Sequence, residues 1–252
     1  MANTFSGRSK ALLFIGLALA LGAGLATGWF WRENGDPAAR LASGDRAAIE
    51  KVVHDYILAH PEILPQAMEN LQKKENADRL AGVRKDVEAP FPGALLGNPD
   101  GKVTLVEFTD FACTFCRQSV AEIEALVAKH PDLRVVIREL PILSPQSGDA
   151  AKMALAAADQ GKYAAFHKAM FAAGQVSPET IAAAAKSAGL DMTRAQAFIA
   201  KPHVEAELNR NIDLARQLGF NGTPSWVVGD TVLSGAVGED KLSEAIEAAK
   251  KG

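Results

Sequence analysis

The chain has 252 residues, 48% of them hydrophobic, which is enough for one domain of ordinary size with additional segments. Its formal net charge is −3 and no basic stretch is interleaved with aromatic residues, which argues against a nucleic acid or a strongly acidic surface as partner. The only two cysteines have the spacing of a redox pair, an economy typical of exported proteins that must avoid mispairing their thiols.

The N-terminal segment has the pattern of a membrane helix. Arg8 and Lys10 precede an apolar run over residues 11–31 that is close to the ~20 residues needed to span a bilayer. The run ends in aromatic residues, and the basic residues before it favour a cytoplasmic N-terminus. We predict a signal anchor within residues 1–33, inserted in the inner membrane through residues 11–31, with the rest of the chain outside the cytoplasm. The alternative is a signal peptide that is cleaved and releases a soluble protein.

Two helices and two linkers are predicted next. Residues 34–44 are polar, contain glycine and proline, and predict a linker. Residues 45–87 have apolar residues at helical spacing and predict two helices, the first capped by Asp45 and ended by Pro61. Two helices bury little surface alone, so this segment needs a partner, either the main domain or another copy of the chain. Residues 88–101 are rich in proline and glycine and predict a second linker at the domain boundary.

The cysteine motif follows directly. Residues 102–109 are nearly continuously apolar and predict a central strand, and residues 117–129 predict a helix. A strand that leads into Cys-x-x-Cys at the start of a helix is typical of a thioredoxin-like redox site. The free N–H groups and positive dipole end of the helix stabilise a thiolate there. We predict that Cys113 is the exposed attacking sulfur and Cys116 the more buried resolving one.

Two other uses of this motif are less compatible with the sequence. A structural zinc site wants four cysteine or histidine ligands, but there is no third cysteine and the nearest histidines are His60 and His130. A purely structural disulfide is disfavoured because such a short loop constrains the unfolded chain very little. We therefore predict a reactive dithiol, with no metal and no cofactor.

Charged residues near the strands suggest further roles. Glu107 interrupts the apolar strand six residues before the first cysteine. A buried carboxylate has a raised pKa, and we predict that Glu107 accepts a proton from Cys116 during exchange; the alternative is a carboxylate on a solvent-facing side of the strand. Asp110 is predicted to be a turn residue. Arg138 and Glu139, at the end of the next strand, either line the site or form a surface pair, and we favour the surface pair.

The rest of the chain alternates strand and helix signals. Residues 133–140 predict a strand, and residues 144–218 contain several helices with capping residues and glycine stops. This is too much helix for one crossover, so we predict a helical subdomain inserted between two strands. His167 lies within it and is predicted to be structural.

A hairpin and a helix close the chain. Residues 225–228 and 231–234 flank a Gly-Asp turn and predict a β-hairpin, and residues 240–250 predict an amphipathic helix. Pro224 immediately precedes the hairpin and is a candidate for the rare cis peptide. A cis bond there is expected to place the backbone of Thr223 against the sulfur of Cys113; an ordinary trans turn is the alternative.

Together these features resemble a known family. Glu107, the pair Cys113 and Cys116, the helical insertion and the Gly-Thr-Pro sequence at 222–224 are similar to the DsbA-like thiol:disulfide oxidoreductases of the bacterial periplasm. The resemblance extends from about residue 97 to the C-terminus. Separately, the helical stretch from residue 49 to residue 65 resembles the N-terminal segment of ScsC-type members.

The resemblance implies a fold and a set of site residues. The fold is an α/β thioredoxin-like domain at 102–252 with an inserted helical subdomain at about 144–218. By position, the residues match the following family roles: Cys113 the nucleophile, Cys116 the resolving cysteine, Glu107 the buried acid, Pro224 the cis-proline and Thr223 the residue before it. The dipeptide between the cysteines, Thr114-Phe115, departs from the commonest family pairs and has no histidine to stabilise the thiolate.

The implied function is disulfide donation to exported proteins in the periplasm. The implied partners are cysteine-containing substrates, a membrane or periplasmic redox partner, the inner membrane and, through 45–87, another copy of the chain. Isomerisation or reduction is the alternative if the chain is oligomeric. A copper-handling protein that holds Cu(I) between two soft thiolates is an alternative of another class. A non-enzymatic binding module with an inert disulfide is a third.

Overall fold

The computed structural model describes residues 43–251. The predicted membrane segment at 11–31 lies outside these residues, as does nearly all of the predicted linker at 34–44. Within the described part of the chain, no helix combines the length and the hydrophobicity needed to cross a membrane. Within the described residues, a division into two units falls between residues 68 and 69. The domain boundary at 88–101 stays a prediction.

Two helices open the described chain, as the sequence predicts. α1 (Ser43–Ala59) and α2 (Ile63–Glu88) are separated by a short turn at Pro61. α1 carries exposed ion pairs between residues one helical turn apart, for example Arg46 with Glu50 at 3.0 Å. Exposed pairs of this kind contribute little stability. The apolar side chains of this stretch are largely exposed: Ile49, Val52, Val53, Tyr56, Leu58, Leu64, Met68 and Leu71.

A sheet of five strands within the described residues forms the centre of the second unit. In chain order the strands are β1 (Leu95–Gly97), β2 (Val103–Thr109), β3 (Leu133–Glu139), β4 (Ser225–Val228) and β5 (Thr231–Ser234). Their spatial order is β1-β3-β2-β4-β5, with β2 and β3 parallel and the other neighbours antiparallel. Helix α3 (Thr114–Lys129) connects β2 to β3, as a parallel pair requires, and begins within the cysteine motif.

Both faces of the sheet are covered, which explains why β2 and β3 are nearly continuously apolar. On one face Leu105 and Ile137 belong to a core that includes α3 and the C-terminal helix. On the other face Val106 and Val136 pack in a second core that includes Leu80 of α2. Side chains alternate along a strand, so a residue's face follows from its position.

The predicted helical insertion is confirmed. It consists of α4 (Ser147–Asp159), α5 (Tyr163–Ala172), α6 (Pro178–Ser187), α7 (Met192–Ile199) and α8 (Pro202–Gln217), and α9 (Glu239–Ala249) closes the fold. Ser177 caps α6 in a capping box with Thr180, and the carboxylate of Asp191 accepts the Arg194 N–H at the start of α7 at 3.0 Å. The α/β fold with an inserted helical subdomain therefore agrees with the sequence.

Strand β1 was not predicted, because it lies inside the proline- and glycine-rich stretch at 88–101. It is three residues long and pairs with β3 from Leu95 opposite Val136 to Gly97 opposite Arg134. Gly97 has a φ of 73°, and a Cβ there would lie 2.7 Å from the carbonyl oxygen of Leu133. Only glycine fits this close approach, so the residue that suggested a linker is required by the strand pairing.

The expected surface pair of Arg138 and Glu139 is wrong. Both residues are 1% exposed and they point to opposite faces of the sheet. The Arg138 guanidinium donates to the carboxylate of Glu207 at 2.8 Å and to the side chain of Asn211 at 3.0 Å. It also donates to three carbonyls around the end of α2: Asp86, Val87 and Ala89. A cation at a helix C-terminus is favourable, and here it attaches the last turn of α2 to the sheet.

Candidate active site

The cysteine pair lies where β2 ends and α3 begins. A turn brings the chain round, since the N–H of Cys113 donates to the carbonyl of Asp110 at 2.9 Å. Cys113 is the N-cap of α3 in an extended conformation, and its sulfur accepts the N–H of Cys116 at 3.2 Å. The thiol thus occupies the position that a serine or aspartate side chain takes in ordinary helix caps.

The loop before β4 lies against this sulfur. The peptide bond between Thr223 and Pro224 is cis, so the expected rare isomer is confirmed. The Cys113 thiol donates to the carbonyl of Thr223 at 3.3 Å, which places that backbone against the sulfur as predicted. The hydroxyl of Ser225 donates to the carbonyl of Gly222 at 2.8 Å and closes the same loop.

The pKa values of the two thiols are shifted in opposite directions. The pKa of Cys113 is lowered to about 6, chiefly by its hydrogen bond with the side chain of Cys116, with contributions from Thr223 and from the N–H groups of Cys116 and Phe115, while burial opposes the shift. The pKa of Cys116 is raised, first by burial, then by its hydrogen bond with Cys113 and by the charge of Glu107. One sulfur therefore holds a thiolate near neutral pH while the other keeps its proton.

The expected exposure of Cys113 is wrong. Cys113 is 4% exposed and Cys116 is 1% exposed, so the resolving cysteine is the more buried of two buried residues. The helix cap and the Thr223 loop cover Cys113 from two sides. Both residues between the cysteines, Thr114 and Phe115, are exposed, Phe115 at 57%.

Glu107 is buried in the central strand of the sheet. It is 1% exposed and lies opposite Ile137 in β3 and Trp226 in β4, so the alternative of a solvent-facing carboxylate is excluded. Neither carboxyl oxygen has a hydrogen-bond partner among the described residues. Burial raises the pKa of Glu107 well above its usual range, and the charges of Glu139 and Cys113 raise it further. Its role in proton transfer stays a prediction.

Asp110 does more than the turn assigned to it from the sequence. Its carboxylate accepts four hydrogen bonds: from the N–H groups of Ala112, Ile142 and Leu143 at 2.8–2.9 Å and from the hydroxyl of Ser147 at 2.7 Å. It thereby joins the cysteine motif to the loop after β3, whose side chains Ile142 and Leu143 are 44% and 51% exposed. An aspartate directly after a strand and before a redox motif was the available signal.

Glu139 and Tyr163 are a second pair that the sequence did not reveal. The hydroxyl of Tyr163 donates to the carboxylate of Glu139 at 2.6 Å, and both side chains are buried. Burial raises the pKa of Glu139 to about 8, opposed by this hydrogen bond and reinforced by the charge of Asp110. Glu139 and Glu107 belong to the same face of the sheet, because Glu139 lies opposite Thr109 and Thr109 is two residues from Glu107.

Residues 104–247 match the DSBA-like thioredoxin domain, which is more than half of the chain. The chain belongs to this family. Residues 45–77 match a second family, described as the copper resistance protein ScsC N-terminal domain. As a DSBA-like protein, the chain carries its Cys-x-x-Cys pair, Cys113 and Cys116, on the thiol–disulfide oxidoreductase fold of the family.

Solved structures agree with this assignment. A thioredoxin-like oxidoreductase from Silicibacter pomeroyi DSS-3 is 43% identical with a TM-score of 0.60, over 63% of this chain and 92% of that one. The catalytic domain of Proteus mirabilis ScsC is 26% identical with a TM-score of 0.63, over 70% and 99%. The thiol-disulfide exchange protein alpha-DsbA2 from Wolbachia pipientis is 27% identical with a TM-score of 0.64, over 71% and 97%.

Curated relatives are much longer proteins. The Na(+)/H(+) antiporter NhaA 1 of Salinispora arenicola is 29% identical over 159 residues, which are 62% of this chain and 24% of that protein. The chain thus spans about a quarter of the length of the curated relatives it matches. This similarity concerns one part of those proteins.

Proposed function

We propose that this DSBA-like protein is a thiol–disulfide oxidoreductase that acts on the cysteines of exported proteins. The observation that carries the proposal is the position of the Cys113 sulfur, which accepts an N–H at the start of α3 and lies 3.3 Å from the Thr223 carbonyl. A sulfur held in this way is activated as a thiolate, and it faces a backbone strand end with which a substrate peptide can align. The similarity to oxidoreductases supports the same class.

The dithiol exchanges disulfides in two steps. In the donating direction a substrate thiolate attacks the Cys113 sulfur, the Cys113–Cys116 bond breaks, and Cys116 leaves as a thiolate that takes a proton from Glu107. A second substrate thiolate then attacks the substrate sulfur of the mixed disulfide, and Cys113 leaves as a thiolate. The substrate has lost two electrons and the protein holds a dithiol, which a membrane or periplasmic redox partner reoxidises. Pro224 and Thr223 position the substrate backbone.

Donation is the direction that the electrostatics favour. A thiolate stabilised at Cys113 stabilises the reduced protein, which makes the disulfide a stronger oxidant. The test is the reduction potential of the pair, measured by equilibration with glutathione buffers and alkylation of free thiols. A potential near about −120 mV supports donation, and one near about −270 mV contradicts it in favour of reduction or isomerisation. A pair that does not equilibrate overturns the oxidoreductase proposal, and a Cys113→Ser variant provides the inactive control.

We also propose that the protein works in the periplasm. The proposed arrangement is an anchor or signal at 1–33 that inserts through 11–31, a linker at 34–44, a helical segment at 45–87 and a catalytic domain at 102–252. The connecting residues 88–101 contain β1 of the sheet. Intact mass of the protein recovered from membrane, periplasmic and cytoplasmic fractions tests this arrangement. Residues 1–33 retained in the membrane fraction support the anchor, their loss in the periplasm supports cleavage, and recovery from the cytoplasm alone refutes the location.

Self-association through 45–87 is proposed as well. Val52 and Leu58 of α1 are 67% and 68% exposed, and burying such side chains in a partner copy is favourable. The same segment matches the ScsC N-terminal domain over residues 45–77. Light scattering is expected to give a multiple of the chain mass, reduced to the monomer by Val52→Glu but not by Gln72→Glu. An assembly with isomerase activity supports the isomerase alternative, and a monomeric wild type refutes self-association.

Copper handling is the alternative of another class. Two soft thiolates suit Cu(I), and the family matched by residues 45–77 is described as part of a copper resistance protein. Stoichiometric Cu(I) binding in the presence of a competing chelator, lost in Cys116→Ser, supports this role. Among residues 43–251, no group of three or more histidine, cysteine or acidic side chains is arranged to hold a metal.

A further inference from the structure

A cluster of buried polar side chains lies beneath the dithiol, on the face of the sheet that α3 covers. Glu107 and Thr109 are two residues apart on β2 and so share this face, and Glu139 of β3 lies directly opposite Thr109. None of the three is more than 1% exposed. Trp226, opposite Glu107 on β4, is fully buried beside them.

The cluster is short of hydrogen bonds. Both carboxyl oxygens of Glu107, the hydroxyl of Thr109 and one carboxyl oxygen of Glu139 have no partner within the described chain. The other carboxyl oxygen of Glu139 is held by the Tyr163 hydroxyl at 2.6 Å. Buried polar groups are nearly always satisfied, and several unsatisfied ones gathered at a reactive site indicate a function other than stability.

The charges around the cluster are of one sign. The titratable groups near the two carboxyls are acids or thiols, with one imidazole beside them. They are Cys113, Cys116 and Glu122 from the motif and α3, Asp110 from the turn, and Tyr163 and the imidazole of His167 from α5. His167 is buried and neutral, since burial lowers its pKa to about 4. Two carboxyls in such surroundings do not both ionise, because the charge of one disfavours the charge of the other.

We propose that Glu139 is a positioning residue of disulfide exchange, which shares with Glu107 the proton that Cys116 gains and loses. Thr109 lies between the two carboxyls on this face, two residues from Glu107 on β2 and directly opposite Glu139 on β3. This inference rests on the proposed function. It adds that the proton donor is a pair of carboxyls, one fixed by the Tyr163 hydroxyl.

When an incoming thiolate forms a bond to the Cys113 sulfur and the Cys113–Cys116 bond breaks, Cys116 carries the negative charge. The protonated Glu107 then transfers its proton to Cys116, so the negative charge passes from the sulfur to the carboxylate. The negative charge then lies on the carboxyl pair, which keeps one proton shared between Glu107 and Glu139. In the reverse direction each transfer runs backward.

The test is the pH dependence of reduction of the full-length disulfide protein by reduced glutathione. The reaction is quenched with acid, alkylated and followed by mass spectrometry, and the rate constant is expressed per glutathione thiolate. The rate falls at high pH as Glu107 loses its proton. In Glu139→Gln the neighbouring charge is absent, so Glu107 ionises more easily and the midpoint is expected to fall by about one pH unit.

A second variant and a control make the result specific. Tyr163→Phe removes the hydrogen-bond donor to Glu139, which then ionises less readily. The midpoint is therefore expected to fall here as well, by no more than it falls in Glu139→Gln. Glu124→Gln removes an exposed carboxylate from α3 and is expected to leave the midpoint in place. Infrared difference spectra are expected to lose one protonated-carboxyl band in Glu139→Gln.

The outcomes are distinct. A midpoint unchanged in both Glu139→Gln and Tyr163→Phe, with rates and infrared bands like those of the wild type, overturns the shared proton while leaving the oxidoreductase proposal intact. Loss of rate at every pH with no shift of the midpoint assigns Glu139 to structure and also overturns it. A wild type that does not react with glutathione defeats the proposed function itself.

Discussion

The thiolate at Cys113 makes the stability of the reduced protein depend on pH. Its pKa is about 6 in the folded chain, against about 8.5 for an unfolded cysteine. A depressed folded pKa stabilises the protein above the unfolded pKa, and this stabilisation is lost as the pH falls through the folded pKa. The difference between about pH 8 and about pH 5 is about 2.5 kcal/mol, which screening at the helix terminus reduces to about 2 kcal/mol.

Urea unfolding of the wild type and of Cys113→Ser, both under reducing conditions, measures this contribution. Serine caps a helix as well as the thiol does but does not titrate in this range. The gap between the two free energies of unfolding is expected to change by about 2 kcal/mol in favour of the wild type from about pH 5 to about pH 8. Glu107 and Glu139 are present in both proteins and largely cancel. A gap that stays constant refutes the stabilised thiolate.

Three further substitutions test other parts of the structure. Glu107→Gln is expected to slow exchange by about 10²-fold in stopped-flow assays because the amide cannot transfer a proton, and an unchanged rate contradicts the role of Glu107. Arg138→Ala is expected to cost about 3–5 kcal/mol in urea unfolding because Glu207 loses its buried partner, whereas the exposed Arg210→Ala costs much less. The wild type is expected to lose up to about 3 kcal/mol of stability as the pH falls from about 6.5 to about 4, because the buried imidazole of His167 must become charged there. His167→Phe is expected to abolish this loss, and an unchanged fall in stability at acid pH contradicts the reasoning.

Much of the site was predictable because its signals are local. The hairpin at 225–234, the proline before it and the cysteines at a strand-to-helix junction each follow from adjacent residues. The nearly continuous apolar run of β2 also indicated that Glu107 lies inside the sheet. What failed depends on contacts distant in sequence. β1 is too short for a periodic pattern and is defined only by its pairing with β3.

Arg138 and Glu139 illustrate the same limit. Adjacent opposite charges at a strand end suggest a surface pair, and only the helices packed on both faces bury them on opposite sides. Their partners, Glu207 and Tyr163, lie 69 and 24 residues further along the chain. No local pattern connects these positions. The burial of Cys113 was missed for a similar reason, because it depends on a loop 110 residues away.

The four hydrogen bonds accepted by Asp110 have a consequence for recognition. They order the backbone at Ile142 and Leu143 before any partner arrives, while the side chains remain open to solvent. A polypeptide that reaches the dithiol therefore meets an apolar surface that is already organised. The conformational entropy lost on binding is therefore mainly that of the incoming chain. For a flexible or incompletely folded substrate, the cost of binding comes from its own ordering more than from any ordering of the enzyme.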